Sequence, residues 1–149
     1  MVMLDKWDKR FMELARFISG WSKDPSTQVG AVVANPHTKR VVSTGFNGFP
    51  AGVGDYEERL QTRDIKYERV VHADANALLF AGPAAEGCSL YVTPLPPCAR
   101  CAVLVIQAGI SRVVSPRPDL TKEPWKSQSA ISEQMFKEAG VKLDYVDEF

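Results

Sequence analysis

Trp7, Phe11, Leu14, Ala15, Ile18 and Trp21 recur at helical spacing, with charged residues between them. One face of a helix from about Asp5 to Trp21 would carry all six. Gly20 and the segment Ser22-Lys23-Asp24-Pro25 end it. Two β-branched runs follow, Val29 to Ala34 and Val41 to Thr44, around Asn35-Pro36-His37-Thr38. They predict a strand–turn–strand hairpin. The stretch from Asn47 to Arg69 is rich in glycine and charge and has no apolar period, so it reads as loop with room for a short helix. A second helix is expected from His72 through Phe80, and a short strand from Ser89 to Thr93 that stops at Pro94. Cys98 to Ala108 reads as a third helix closed by Gly109, and Ser111 to Ser115 as a fourth strand. Ser127 to Ala139 is a fourth helix closed by Gly140, and Val141 to Val146 a fifth strand. An opening hairpin followed by alternating helices and strands predicts an α/β mixed sheet with helices on both faces.

The length of 149 residues suits a single domain, and no repeat or linker divides it. Its 18 basic and 18 acidic residues cancel, and no basic run stands out. Binding to a nucleic-acid polymer rests on clustered Lys and Arg, so small ligands are favoured. No apolar stretch approaches the length of a membrane span. Met1 to Arg10 carries Asp5, Lys6, Asp8 and Lys9, so no secretory signal is expected there. Three cysteines, two of them in a C-x-x-C, fit a metal or redox site in a reducing cytoplasm better than a disulfide framework.

Pro97-Cys98-Ala99-Arg100-Cys101 sets two thiolates one turn apart at a helix N-terminus. The helix dipole there favours negative charge and lowers thiol pKa values. Only two histidines exist; His72 opens a predicted helix, whereas His37 sits in a polar turn. Sulfur with imidazole suits zinc, and two Cys plus one His leave a fourth position for water, as in catalytic sites. A thioredoxin-type pair is the rival, but no flanking Trp or active-site βα pattern supports it. Cys88 starts an apolar strand and reads as a core residue rather than a fourth ligand.

His72-Ala73-Asp74 followed by Pro97-Cys98-Ala99-Arg100-Cys101 resembles the H-x-E…P-C-x-x-C signature of zinc deaminases. Ser22 to Ala31, Gly45-Phe46-Asn47-Gly48-Phe49-Pro50 and Ile106-Gln107-Ala108-Gly109-Ile110 narrow the resemblance to the deoxycytidylate deaminases, over about Trp21 to Tyr145. The resemblance implies a cytidine-deaminase-like, three-layer α/β/α fold with a five-stranded mixed sheet, and a homohexamer. It implies conversion of dCMP to dUMP, with His72, Cys98 and Cys101 as zinc ligands. It also implies activation by dCTP and inhibition by dTTP, an effector triphosphate bringing Mg2+ with it. Some members hold a second, structural zinc; Gly52 to Val71 has neither Cys nor His, so one zinc per chain is expected.

The family's proton shuttle is a glutamate two residues after the histidine, and here that position is Asp74. Aspartate has the right chemistry but is one methylene shorter. Three explanations stay open: a closer backbone, a differently shaped base such as a modified cytosine or a purine, or a weakened site in a nucleotide-binding zinc protein. The resemblance further places Asn47 at the sugar, Ser22 and Lys23 at the phosphate, and Thr27 in the pocket. It places the Ala73 backbone at the base, Leu95 and Pro96 in the wall beside it, and Trp125 over the site. Lys23 as a solvated lysine, and Trp125 as a packing residue, are the competing readings. Gly48, Phe49 and Asp55 match the effector loop of regulated relatives.

Overall fold

A computed structural model describes residues 4–147. Met1, Val2 and Met3 of the segment read as lacking a secretory signal lie outside the described residues. Helix α1 spans Lys6–Ser19; β1 (Gly30–Ala34) and β2 (Val41–Phe46) form the hairpin. Two short helices follow, α2 (Glu57–Gln61) and α3 (Arg63–Arg69), and then α4 (Ala73–Ala81) with a 3₁₀ turn at Gly82–Ala85. The remaining elements are β3 (Ser89–Thr93), α5 (Ala99–Gln107), β4 (Arg112–Pro116), α6 (Trp125–Ala139) and β5 (Lys142–Val146). No helix among the described residues is long and apolar enough to cross a membrane.

The five strands form one mixed sheet in the order β2-β1-β3-β4-β5. β1 is antiparallel to both β2 and β3, while β3, β4 and β5 run parallel. Side chains alternate between two faces along each strand. Ala31, Val33, Leu90, Val92 and Val113 pack on one side against Ala77 of α4, Ala102 and Val105 of α5 and Phe136 of α6. Val32, Tyr91, Val114 and Val146 pack on the other against Phe11, Met12 and Ala15 of α1. This is the three-layer α/β/α arrangement with a five-stranded mixed sheet that the sequence led us to expect.

Two glycines set how closely the layers approach. A Cβ on Gly30 would run into the backbone of Ala15 and Ser19, and one on Gly45 into Ala73 O and Ala77 N. Gly45 therefore lets the first turn of α4 rest on β2. The contact is reinforced by the Ser43 hydroxyl donating to Ala77 O at 2.6 Å and the Asn76 amide donating to Phe46 O at 2.8 Å.

The departures from the expected elements have physical causes. The first helix stops at Ser19 rather than Trp21, and the Trp21 side chain is 55% exposed, while Met12 and Asp8 join the buried face. Asp8 is tolerated there because Arg112 Nη1 and the Tyr91 hydroxyl both donate to its carboxylate, at 2.8 and 2.6 Å. Asn47–Arg69 holds two helices where the sequence suggested loop with room for one. Among described residues α2 buries nothing and α3 buries only Lys66, so neither has an apolar stripe to betray it. Helix α6 begins at Trp125, two residues before the expected Ser127.

Candidate metal centre and active site

Two helices aim their N-termini at one point. His72 is the N-cap of α4 and Cys98 the N-cap of α5, both with extended backbone, and Cys101 lies in the first turn of α5. His72 Nδ1 lies 3.6 Å from Cys98 Sγ and 3.3 Å from Cys101 Sγ. All three donor atoms fall within 4.8 Å of one another. Tetrahedral zinc, with bonds of about 2.3 Å to sulfur and about 2.0 Å to nitrogen, places such donors roughly 3.6 Å apart. The geometry fits the metal through Nδ1, and both helix dipoles favour the thiolates.

The protonation pattern of the three side chains suits a cation. The hydrogen bond between the two thiols is the foremost cause that pushes Cys98 down to about 4 and Cys101 in the opposite direction. The hydrogen bond to Cys98 is likewise the foremost influence raising the His72 imidazole. Cys98 is thus the anionic member of the pair and Cys101 the protonated one, and a bound metal ion would take the place of the Cys101 proton.

Asp74 is the second residue of α4, in its first turn, and is 4% exposed. Its Oδ1 accepts from Ala75 N at 2.9 Å, and its carboxylate also hydrogen-bonds the Cys101 thiol. Burial raises its carboxyl above the ordinary range, and the hydrogen bond to Cys101 opposes this. A carboxyl buried in this way holds its proton more readily than an exposed one. Ala73, equally buried, separates it from His72.

The residues expected at the substrate are divided by the fold. Asn47 is buried, with Oδ1 accepting from Val29 N at 2.8 Å and Nδ2 donating to Thr27 O at 2.9 Å. Its amide clamps the start of β1. Gly48 forms an isolated bridge with Val71, which brings this loop beside His72. Ser22 is buried, and its hydroxyl donates to Asn47 O at 2.8 Å. Lys23 pairs with Asp55 at 2.8 Å on the surface. Leu95 and Pro96 lie between β3 and α5, and Trp125 opens α6 as a buried residue.

Two cavities flank this region. The larger, about 640 Å³, is walled by Thr27 and its neighbours, Thr93, Pro94 and the end of α1. The smaller, about 250 Å³, is lined by Trp21, Lys23, Phe46, Gly48, Phe49 and Asp55, among others. Gly48, Phe49 and Asp55 therefore share one cavity with Lys23, away from Thr27.

Lys66 escaped the sequence reading. Its ammonium is buried against Asp24 at 3.1 Å and Ser26 Oγ at 3.3 Å. Asp24 Oδ1 also accepts from Ser26 N and Thr27 N, at 2.8 and 3.1 Å. Lys66 thus braces the turn that walls the larger cavity. A lone lysine in a charged segment gives no sequence signal for this.

Residues 5–116 match the family model for the cytidine and deoxycytidylate deaminase zinc-binding region. The protein named "Uncharacterized deaminase in luxG 3′region" from Aliivibrio fischeri is 44% identical over 147 residues, covering 97% of this chain and 96% of that one. Deoxycytidylate deaminase from Mus musculus is 42% identical over 115 residues, covering 73% of this chain and 64% of the mouse protein's length. The structure of dCMP deaminase from cyanophage S-TIM5 in complex with dCMP and dUMP superposes with a TM-score of 0.74 at 22% identity. It covers 97% of this chain and 100% of the phage chain, a likeness of fold. With its metal ligands, its buried carboxylate and its sheet order in accord, the chain belongs to the cytidine and deoxycytidylate deaminase family.

Proposed function

We propose that the chain is a zinc-dependent hydrolase that converts dCMP to dUMP and ammonia. The observation that carries this is the convergence of His72 Nδ1 and the two cysteine sulfurs beside the buried Asp74. Zinc bound by these three side chains supplies a hydroxide-strength nucleophile at neutral pH. Asp74 does the proton work. It takes one proton of the attacking water and delivers it to N3 of the cytosine ring, then takes the second from the new C4 hydroxyl and passes it to the amine, so that the C4–N bond breaks as the C4 carbonyl forms. The bond from Ala75 N fixes one carboxylate oxygen beside the three side chains that would hold the metal. The shorter side chain is served by a backbone held hard on Gly45 of β2.

Ammonia release measured on dCMP, deoxycytidine, dAMP and dGMP side by side tests the proposal. Turnover of dCMP that is lost on chelation and restored by zinc is expected; turnover that persists in fully zinc-free protein would overturn it. The second reading is a deaminase of another base, or a nucleotide-binding zinc protein, and Asp74 in place of glutamate is what favours it. Preference for a purine nucleotide in the same panel, or binding without ammonia release, would select between these.

Within the proposal each chain holds one zinc, since one cluster of suitable ligands occurs among the described residues. Regulation by dCTP and dTTP with Mg2+ at the smaller cavity, a homohexamer and a cytoplasmic setting extend it from the family resemblance. Sedimentation with and without each triphosphate reads assembly and effector binding together.

A further inference from the structure

We infer that Asn76 is a positioning residue for the proposed proton carrier: its amide fastens the first turn of α4 to the end of β2 and so sets where the Asp74 carboxylate stands. Asn76 follows Asp74 by two residues. Its Nδ2 donates to Phe46 O at 2.8 Å, across 30 positions of the chain. Its backbone N–H donates to His72 O at 2.9 Å. One residue therefore ties the N-cap that carries the imidazole to the neighbouring strand, with Asp74 between the two bonds.

The start of α4 needs such a fastening. A helix start is ordinarily fixed by an N-cap side chain that accepts from the free N–H groups of the first turn. The N-cap here is His72, which makes no such bond because its ring is directed at Cys98 and Cys101. Asp74 Oδ1 accepts from Ala75 N, a bond inside the turn that does not hold the turn to the rest of the fold.

The end of β2 is a firm post. Asn47 is bonded through its amide to Val29 N and Thr27 O, and its carbonyl accepts from the Ser22 hydroxyl. Gly48 and Val71 exchange two backbone bonds, at 3.1 and 2.8 Å, immediately before His72. Gly45 lets Ala73 O come up against the strand. The stretch from Gly45 to Gly48 thus grips the chain on both sides of Asp74, Gly48 ahead of His72 and Phe46 behind Asp74 through Asn76. Aspartate has one side-chain torsion fewer than glutamate. A drift of its backbone is therefore harder for the arm to take up, and the fastening matters more here than it would under a longer side chain.

This assignment rests on the nucleotide-deaminase reading above, and one set of measurements separates the two. Steady-state dCMP deamination, zinc content by elemental analysis, dUMP affinity by calorimetry and urea midpoints would be compared for the wild type, Asn76→Leu, Asn76→Gln and Ser43→Ala. Ser43→Ala removes the other side-chain bond from β2 to α4, at Ala77 O. Asn76→Leu should lower kcat about 10- to 100-fold through a misplaced carboxylate. KM for dCMP, dUMP affinity and zinc content should stay at their wild-type values. Asn76→Gln keeps an amide donor and should recover part of kcat, while Ser43→Ala should lower the urea midpoint and keep kcat. The assignment is wrong if Asn76→Leu turns over like the wild type, or if Asn76→Gln does no better than Asn76→Leu. An equal loss of kcat in Ser43→Ala would mark general slackening of α4, and a loss that follows departing zinc would mark an effect on the metal; either overturns it. Wild-type protein that releases no ammonia from any deoxynucleotide would sink the deaminase reading and this assignment together. An active wild type with an unaffected Asn76→Leu sinks the assignment alone.

Discussion

At Asp74 a single methylene separates this chain from the H-x-E pattern it otherwise follows. The carboxylate is buried, anchored by Ala75 N and placed against the Cys101 thiol. Asp74→Asn removes the proposed proton carrier and leaves His72, Cys98 and Cys101 in place. Turnover should fall about 100- to 10,000-fold while the zinc content, read by elemental analysis, stays at the wild-type level. Asp74→Glu keeps the chemistry but displaces the oxygens by about 1 Å, which costs on the order of 100-fold in rate. A gain in turnover would instead mark the native site as weakened. Lys66 offers a second test at this scale. Lys66→Met takes the cation from the Asp24 carboxylate, whose side chain is 10% exposed, and leaves it only its backbone N–H and amide donors. Breaking one partner of a buried pair costs about 3–5 kcal/mol, and urea unfolding of the variant would read that loss.

The elements explain why the ligands meet. A histidine at the N-cap of α4 and a cysteine at the N-cap of α5 would be unrelated if the two helices did not pack side by side on the same face of the sheet. Gly45 is the pivot of that packing, since even a methyl group would strike Ala73 O and Ala77 N. Gly45→Ala should destabilise the fold by about 1–3 kcal/mol, seen as a lower urea midpoint. It should also loosen zinc, because the backbone that moves carries His72. Both effects are measurable on one preparation. Helices α2 and α3 show the opposite situation. They contribute no buried apolar side chain to the core, yet α3 delivers Lys66 to the turn that holds Asp24 and Ser26.

Across the whole molecule, a charged network fastens α1 to the far edge of the sheet. Arg112 on β4 donates to Asp8 of α1 at 2.8 Å and to Asp144 of β5 at 2.7 Å, and Tyr91 of β3 donates to Asp8. Burial raises the Asp8 carboxyl, but its bonds from Arg112 and Tyr91 outweigh this and bring it below its ordinary 3.8. A carboxylate depressed in the folded state adds stability that is present above its unfolded pKa and lost as pH falls through the folded one. Denaturant midpoints should therefore hold from neutrality down to about pH 4 and drop below it. In Asp8→Asn the part of that drop owed to Asp8 should disappear, along with part of the stability at neutral pH.

The sequence alone determined the order and type of the larger elements and picked out His72, Cys98 and Cys101, which the fold brings together, with Asp74 two residues after the histidine. Those features are written in local terms: apolar periods of two and of about 3.6, and donors spaced by one helical turn. Tertiary structure decided the rest, because it depends on residues far apart in the chain. Asn47 and Ser22 match the substrate-contact pattern by sequence, yet burial turns their polar groups inward to the backbone of the 22–29 segment and the Asn47 loop. Lys23 and Thr27, four positions apart, face different cavities. Lys66 and Asp24 find each other across 42 positions, where no period or motif could announce the pair. A buried charge must be matched by whichever partner the fold brings within reach, and only the folded chain reveals which partner that is.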